Sequence, residues 1–226
     1  MSNENAEDKE QIANKLTEEG IENHIKGNHN KAISLFEKAL IIQNELKNLK
    51  GKMILLTHIG KATQTMGNIE NAIKHFSNAL KLAEKIGHEE WIIVRLTHLG
   101  SAYQVLGNYR KAIYKFKKAI SLTEKLEDKS WNAIQLTNVA VSYFLWKKYK
   151  QSINYFTKAI KITEDINDME SLTLRLSLMA VCYENNNKHK EALSTFEKAF
   201  EIAKKFNLKA YIDALPESIE NIKKLI

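Results

Sequence analysis

Two stretches of the chain, 40 residues apart, share the pattern that decides the fold. The first is LTHIGKATQTMGN, Leu56–Asn68, and the second is LTHLGSAYQVLGN, Leu96–Asn108. Both place apolar residues at helical spacing, and both carry a glycine inside that pattern, at Gly60 and Gly100. A glycine inside a helix costs about 1 kcal/mol relative to alanine. Its recurrence indicates that a second helix packs closely against this position and recovers the loss.

The rest of the chain follows the same period. When the sequence is aligned with itself at a shift of 40 residues, several columns appear. Three are invariant: Leu16, Leu56, Leu96, Leu136 and Leu176; Phe36, Phe76, Phe116, Phe156 and Phe196; and Ala39, Ala79, Ala119, Ala159 and Ala199. A fourth is small throughout: Ala32, Ala72, Ala112, Ser152 and Ala192. A period this strict indicates stacked supersecondary units.

Each unit is predicted to consist of two helices joined by a turn. Gly107 lies where the first helix must stop, and glycine enters a left-handed C-terminal cap without strain. The equivalent positions are Gly27, Gly67, Lys147 and Asn187. We therefore expect repeats four and five to end their first helix less sharply. The column of Gly60 is also small: Gly20, Gly60, Gly100, Ala140 and Ala180.

These residues resemble the tetratricopeptide repeat. The matching positions in the third unit are Leu99, Gly100, Tyr103, Gly107, Ala112, Phe116 and Ala119. Five copies cover the chain from about Lys9 to Asn207. The resemblance implies an all-α fold, a right-handed α-solenoid of helix-turn-helix units that acts as a scaffold for protein binding.

The repeat departs from the usual family pattern in length and in its closing residue. Its period is 40 rather than 34 residues, and the position of the usual closing proline holds Asn44, Glu84, Glu124, Glu164 and Lys204. Without proline the second helix can continue for about another turn. Longer repeats of this kind resemble those of kinesin light chains and of the adaptors that link spindle-orientation proteins to G-protein subunits.

We expect three segments along the chain. A polar N-terminal segment, 1–8, precedes five repeats at about 9–47, 48–87, 88–127, 128–167 and 168–207. A C-terminal capping helix then occupies 208–226, with a break or kink near Pro216, since proline fits the first turn of a helix.

Composition favours a soluble protein of the cytoplasm. Hydrophobic residues make up 44% of the chain and charged residues 27%, which is typical of a globular protein. No apolar run is long enough to cross a membrane, and the polar start MSNENAEDKEQ does not resemble a signal peptide. Cys182 is the single cysteine, which excludes an intramolecular disulfide, and we expect it to be a small buried hydrophobe.

The sequence contains no recognisable catalytic or metal-binding motif. His58 and His98 share a column, but the third member of that column is Asn138, and two histidines are too few ligands for a zinc site. We therefore predict that the chain is not an enzyme and holds no cofactor or metal.

The resemblance implies that first helices line a concave groove in which a partner peptide binds. The candidate groove residues are Thr57, His58, Lys61, Gln64, Thr97, His98, Ser101, Gln104, Thr137, Asn138, Val141, Phe144, Leu178 and Val181. They are polar in repeats two and three and include apolar side chains in repeats four and five, which suggests an anchor pocket. The alternative is that the apolar residues pack against each other, against the C-terminal tail or against a second copy of the chain.

A basic surface is the alternative binding site. Between Gly107 and Ile160 there are 11 Lys and Arg residues against 3 Asp and Glu. The candidate patch on second helices is Lys111, Lys115, Lys118, Lys150 and Lys158. Such a patch can attract an acidic protein or nucleic acid, or it can be a solvated face. The neighbouring aromatic residues fall mostly in buried columns, which disfavours nucleic acid, with Tyr109, Tyr114 and Tyr149 as exceptions.

The two-carboxylate clamp of chaperone-binding tetratricopeptide domains is not present. That clamp needs Lys, Asn and Arg at set positions of successive units. Starting from the first repeat, the matching positions hold Thr17, Ile21, His58, Val94 and His98. We therefore do not expect the chain to bind chaperone C-termini in that way.

Overall fold

The computed structural model describes the backbone of residues 2–226 and the side chains of residues 6–226. Met1, part of the expected polar segment 1–8, lies outside the described residues. The described chain holds eleven α-helices and no strand: α1 Ser2–Ile25, α2 His29–Glu45, α3 Leu49–Thr65, α4 Ile69–Ile86, α5 Glu89–Val105, α6 Tyr109–Lys125, α7 Lys129–Leu145, α8 Tyr149–Asp165, α9 Met169–Asn185, α10 His189–Lys205 and α11 Lys209–Lys223. The predicted all-α repeat fold is confirmed.

The second helices are as long as the sequence predicts. All of α2, α6, α8 and α10 have 17 residues, and α4 has 18. The positions without the usual proline, such as Asn44 and Glu84, lie inside these helices. The first helix starts earlier than expected, because α1 begins at Ser2 rather than near Lys9.

The chain divides into two compact units, which we describe separately. The first unit extends to Asn108 and contains α1–α5, and the second unit begins at Tyr109 and contains α6–α11. The boundary falls between the two helices of the third repeat. Within each unit, every helix packs against the next along the chain.

Close approach of the two helices of a repeat is visible in the first unit. Phe36 and Phe76 are fully buried. A Cβ atom placed on Gly60 would lie 2.6 Å from Cε1 of Phe76, and one on Gly20 would lie 2.5 Å from Cε1 of Phe36. Neither distance is possible for a real side chain, so the phenylalanine ring occupies the space that glycine leaves. The packing role predicted for this glycine column is confirmed.

The core of the second unit contains a serine, Ser152, at the repeat position that holds alanine in the other four repeats. Ser152 is fully buried, and its hydroxyl donates to the carbonyl oxygen of Ala140 at 2.8 Å. The same Oγ lies 3.2 Å from Sγ of Cys182. Cys182 is 1% exposed, as expected, and burial raises the pKa of its thiol to about 11.

All five first helices end in the same left-handed turn. Gly27, Gly67 and Gly107 have φ of 81°, 81° and 77°, and Lys147 and Asn187 have φ of 57° and 56°. The N–H of Lys148 reaches the carbonyl of Tyr143, and that of Lys147 reaches Phe144, both at 2.8 Å. The expectation that repeats four and five end this helix less sharply was wrong, because hydrogen bonding and packing impose the turn on residues that have a Cβ.

The C-terminal helix continues through its proline. The break predicted near Pro216 was wrong, since α11 is continuous from Lys209 to Lys223. Proline inside a helix costs about 3 kcal/mol. Leu215, Ile219 and Ile222 are nevertheless buried in the core of the second unit. Their spacing places them on one face only if the helix is unbroken, so their burial offsets the cost.

Replacing Lys147 with glycine is expected to stabilise the protein. A left-handed lysine is strained by roughly 1–2 kcal/mol, part of which is lost to the greater freedom of glycine in the unfolded chain. We expect Lys147→Gly to raise the free energy of unfolding by about 0.5–1 kcal/mol. Urea unfolding followed by circular dichroism measures this change.

The matched control is the same substitution inside a helix. Lys161 is exposed in α8, and Lys161→Gly should lower the free energy of unfolding by about 1 kcal/mol. If both variants are destabilised alike, the left-handed strain at Lys147 is absent.

Candidate partner-binding surface on the first helices

The candidate groove residues divide between the two units. His58 and Lys61 lie on α3 and His98 on α5 in the first unit, while Val141 lies on α7 and Val181 on α9 in the second. Within one helix, residues three or four apart lie on the same face. We use the term first-helix surface for the face of α3, α5, α7 and α9 that carries these residues, and treat it unit by unit.

Two histidines of the first unit rest on core phenylalanine rings. The His58 ring stacks on Phe36 with 5.2 Å between ring centroids and an interplanar angle of 24°. The His98 ring stacks on Phe76 at 5.5 Å and 20°. Both histidines are partly buried. The repeat therefore places the two imidazoles in the same way, each held by the second helix of the preceding repeat.

Both histidines are held in the neutral form. Burial lowers the pKa of His58 to about 4, with further lowering from Lys61, His24 and Arg95. Burial likewise lowers the pKa of His98 to about 4, helped by Lys61, Arg95 and His58. The charged groups that act on these two rings are all cationic. This part of the first unit therefore carries a positive field.

Arg95 is a member of this cluster that the sequence analysis missed. Its side chain is only 8% exposed, and its Nε atom is buried without a hydrogen-bond partner among the described residues. Burial lowers the pKa of its guanidinium, and no carboxylate acts in the opposite direction. The sequence carried little signal, because the same column holds Lys15, Leu55, Gln135 and Arg175, and its spacing alone does not show which of these side chains are buried.

The three threonines among the candidate groove residues are less available to a ligand than the sequence suggested. The hydroxyls of Thr57, Thr97 and Thr137 each donate to the carbonyl four residues earlier in their own helix, at 2.7–2.8 Å. Thr57 is 6% exposed. These protons are already used, so the hydroxyls offer a ligand at most an acceptor. We therefore leave Thr57 out of the candidate surface.

The remaining polar candidates of the first unit are more open. Lys61 is exposed, and Gln64, Ser101 and Gln104 are partly exposed. Together with the histidines they form a polar, cationic part of the first-helix surface.

The second unit carries the apolar part of the surface. Val141, Phe144, Leu178 and Val181 are all partly exposed, and all four pack against the same buried core cluster. Phe144 also meets the ring of Tyr149, with centroids 5.8 Å apart. Each of the four predicted apolar residues therefore packs partly against the core of the second unit and is partly exposed.

A second arginine, Arg175, borders this apolar cluster and is partly satisfied. Its Nε donates to Oγ1 of Thr137 at 2.9 Å, and Asp168 raises the pKa of its guanidinium against the effect of burial. Asn138 donates to Oε1 of Gln135 at 3.4 Å. Arg175 and Arg95 share a repeat position, and each has one buried nitrogen without a hydrogen-bond partner among the described residues, Nη1 in Arg175 and Nε in Arg95.

The predicted basic patch surrounds aromatic rings. Nζ of Lys115 and of Lys118 lie 5.7 and 5.1 Å from the centroid of Tyr114, which is 55% exposed. Nζ of Lys158 lies 5.2 Å from the ring of Tyr155. The other members of the patch, Lys111 and Lys150, are exposed.

A cavity of about 540 Å³ lies beside these lysines in the second unit. Its lining includes Lys117, Lys158 and Lys161, together with Ile120 and Asn132. Asn132 is 8% exposed, and its Oδ1 has no hydrogen-bond partner among the described side chains. Glu124 also lines the cavity, which therefore combines three lysines, one carboxylate, an apolar wall and a buried amide oxygen without a partner.

No group of three or more His, Cys, Asp or Glu residues in the described part of the chain is placed to hold a metal ion. None of its helices is both long and apolar enough to span a bilayer.

Comparison with family models decides the classification. A model of the tetratricopeptide repeat matches residues 51–125 and 93–165, and a second model of this repeat matches residues 176–206. The chain belongs to the tetratricopeptide repeat family. Comparison with curated proteins gives no significant sequence match to this chain.

Solved structures share the tetratricopeptide fold at low sequence identity. The apo form of RapI is 18% identical with a TM-score of 0.78, over 90% of this chain and 74% of that chain. A structure of the nearly identical tetratricopeptide-like repeats of a Podosopora anserina protein assigned as a kinesin light chain is 15% identical to this chain, with a TM-score of 0.76. The match covers 89% of this chain and 98% of that chain. A Rap protein complexed with Competence and Sporulation Factor is 16% identical to this chain, with a TM-score of 0.68. The match covers 88% of this chain and 56% of that chain.

The two stacked histidines should make stability depend on pH. Unfolded histidines gain a proton near pH 6.5, whereas the folded ones stay neutral until about pH 4. The unfolded state therefore binds more protons in this window, and the free energy of unfolding should decrease as pH falls from 6.5 to 4. Chemical denaturation at several pH values measures this decrease.

The repeat itself supplies the control variant. Asn138 occupies the equivalent position of repeat four. The double variant His58→Asn, His98→Asn should lose part of the pH dependence, while His24 and His75, whose pKa values burial also lowers, retain theirs. An unchanged pH profile in the double variant would contradict the assignment.

Proposed function

We propose that this chain is a protein-interaction scaffold that binds a segment of a partner protein on its first-helix surface. In this proposal the chain works in the cytoplasm by binding, without catalysing a reaction and without a cofactor. The partner contributes apolar side chains that dock on the second unit. The polar part of the surface in the first unit contacts backbone or acidic groups.

The observation that carries the proposal is the apolar cluster of the second unit. Val141 and Val181 occupy the repeat position that holds Lys61 and Ser101 in the first unit. The core columns stay constant between repeats because packing fixes them, whereas this column varies: it is apolar at Ile21, polar at Lys61 and Ser101, and apolar again at Val141 and Val181. The cluster is still partly exposed. An apolar patch beside polar neighbours is typical of a binding surface.

The comparisons support a binding role in general terms. The fold is shared with a Rap protein whose structure contains Competence and Sporulation Factor. This likeness is one of fold, and it supports binding by the scaffold without naming the ligand of this chain.

Truncation of the apolar anchor should weaken partner binding. If Phe144 is an anchor, Phe144→Ala should cost about 1–2 kcal/mol, which is roughly a 5- to 30-fold loss in affinity. The partner is obtained by capture from the lysate of the source organism with the wild-type protein, and its affinity for each variant is measured by calorimetry. A double variant, Phe144→Ala with Val181→Ser, should abolish capture.

Leu174 supplies the control for this experiment. It lies on α9 with 43% of its surface exposed and is not part of the cluster, so Leu174→Ala should leave affinity unchanged. All variants must keep the wild-type helicity and melting temperature. Equal capture by the wild type and the double variant would refute the proposed site, and a change in oligomeric mass alone would assign the cluster to self-association.

The lysine-lined cavity favours a second candidate function, binding of an acidic partner or nucleic acid. Lys117 is held by the Tyr155 hydroxyl, whose hydrogen bond raises the pKa of the ammonium group. Lys158 and Lys161 line the same cavity. Three lysines against the single carboxylate of Glu124 give the cavity lining a net positive charge, which can attract an anionic ligand.

Salt dependence distinguishes the two functions. If three lysines neutralise phosphates of a single strand, affinity for a labelled oligonucleotide should fall roughly 20-fold between 50 and 200 mM salt. Replacement of Lys117, Lys158 and Lys161 by Ala should remove most of that slope. A triple alanine variant at exposed lysines of the first unit, Lys31, Lys38 and Lys81, is the matched control. A slope that is equal in both triple variants would argue against the cavity.

A further inference from the structure

The turn between α7 and α8 holds two lysines that favour folding less than the residues of earlier repeats. Lys147 is left-handed, with φ of 57°, and the first three repeats have glycine at this position. Lys148 immediately precedes α8, and its side chain forms no capping hydrogen bond. The first three repeats have asparagine there, and in the second repeat Asn68 accepts a hydrogen bond from the N–H of Asn71 at 3.4 Å. Residues that persist against local preference are typical of functional sites.

Two apolar residues are open to solvent just before this turn. Leu145 is 43% exposed, and Trp146 is partly exposed. In the fifth repeat the same two positions hold Asn185 and Asn186, and that repeat forms the same left-handed turn. Folding therefore does not require apolar residues here, and an exposed apolar pair indicates a contact with something outside the unit.

The charges beside this apolar pair are all positive. The exposed cations are Arg110, Lys147, Lys148 and Lys150. No Asp or Glu occurs in 129–163. Lys188, which takes the place of Lys148 in the fifth repeat, pairs with Glu191 at 2.9 Å, but the residue that corresponds to Glu191 in the fourth repeat is Gln151. The turn therefore presents positive charge that no neighbouring carboxylate of the sequence neutralises.

The indole ring of Trp146 is held within the second unit. Cζ of Arg110 and Nζ of Lys148 lie 5.4 and 5.7 Å from its centroid. The ring also stacks against Tyr143 at 6.4 Å, with an interplanar angle of 9°. Its plane is thus in use, whereas a nucleobase needs a free aromatic face. An indole flanked by cations, beside an exposed aliphatic side chain, suits the boundary between lipid headgroups and acyl chains.

We propose that the second unit docks on the surface of an anionic lipid bilayer through this turn. Leu145 and the edge of Trp146 enter the boundary between headgroups and acyl chains. The cations around them contact the lipid phosphates. The contact is peripheral and involves no membrane-spanning helix. It goes beyond the proposed function, because it adds a place at which the scaffold holds its partner and does not depend on the partner segment.

Co-sedimentation of the full chain with vesicles tests the charge requirement. Each cation near an anionic surface raises membrane partitioning roughly fivefold. Vesicles of phosphatidylcholine with phosphatidylglycerol should therefore bind the chain more tightly than vesicles of phosphatidylcholine alone, by roughly tenfold or more. Binding should decline as salt rises from about 0.1 to 1 M, because the screening length falls from about 10 to 3 Å.

Fluorescence tests whether Trp146 reaches the acyl chains. The chain has 3 tryptophans, and Trp91→Tyr with Trp131→Tyr leaves Trp146 alone. Tyrosine occurs naturally in that repeat position at Tyr211. Emission of Trp146 should shift to shorter wavelength on the anionic vesicles, and acyl chains that carry bromine should quench it. Charge attraction without insertion of the ring would give neither signal.

Other repeats supply a variant that removes charge and keeps the fold. Lys147→Asn with Lys148→Asn copies Asn187 and Asn68, and should weaken binding to the anionic vesicles roughly 20- to 30-fold. Asparagine tolerates a left-handed turn and can cap a helix, so this variant should be at least as stable as the wild type. Lower affinity at undiminished stability cannot result from unfolding.

A second variant removes the apolar pair, and a third is the control. Leu145→Asn with Trp146→Asn copies the fifth repeat and should weaken binding roughly fivefold or more. Lys81→Gln with Lys85→Gln removes two charges from exposed positions of α4. Because these charges lie outside the turn, affinity should stay within about twofold of the wild type.

Four results would overturn the inference. They are equal binding to both kinds of vesicle, equal binding by the Lys147 and Lys148 double variant and the α4 control, an absence of quenching of Trp146, and tighter binding of a single-stranded oligonucleotide or of polyglutamate than of the anionic vesicles. If the Leu145 and Trp146 double variant instead lowers the mass of the chain in the absence of lipid, the pair belongs to an interface between copies, and the bilayer contact is wrong.

Discussion

The contact between a phenylalanine ring and the bare backbone of the facing helix is the constraint on which the packing of the first two repeats depends. In the first unit, Phe36 and Phe76 lie where a Cβ on Gly20 or Gly60 would have to be. The helices can approach this closely only because glycine has no side chain. Burial of an aromatic ring contributes far more than the roughly 1 kcal/mol that glycine costs in a helix. Burial of the ring therefore more than offsets the loss of helix propensity at the glycine.

The same rings connect the core with the surface. Phe36 fills the space beside Gly20 on one side and supports the ring of His58 on the other, and Phe76 does the same for Gly60 and His98. A histidine held on an apolar ring is partly desolvated, which explains why its pKa is low. The structural repeat thus produces a fixed pair of neutral imidazoles on the first-helix surface, next to Lys61.

The two units use this common frame for different chemistry. Several positions that the core does not fix differ between the units, as with Lys61 in the first unit and Val141 in the second. Even where the residue type is the same, the environment differs: Arg175 has Thr137 as an acceptor, whereas Arg95 has none for its Nε. Packing conserves the frame, and the residues outside the core determine what each unit can bind.

The sequence by itself determined the repeat, its period, the helix pairs and the burial of Cys182, because these follow from local spacing and from side-chain size at fixed columns. It also placed the groove candidates on first helices. Only the tertiary structure decided the rest. The hydroxyl of Thr57 is spent on its own helix, Lys147 adopts a left-handed turn, α11 continues through Pro216, and Arg95 is buried without an acceptor for its Nε. The first two are local hydrogen-bond choices that the spacing of apolar residues does not reveal. The last two depend on which groups meet across helices, and pairing across helices is not encoded in the spacing along one of them.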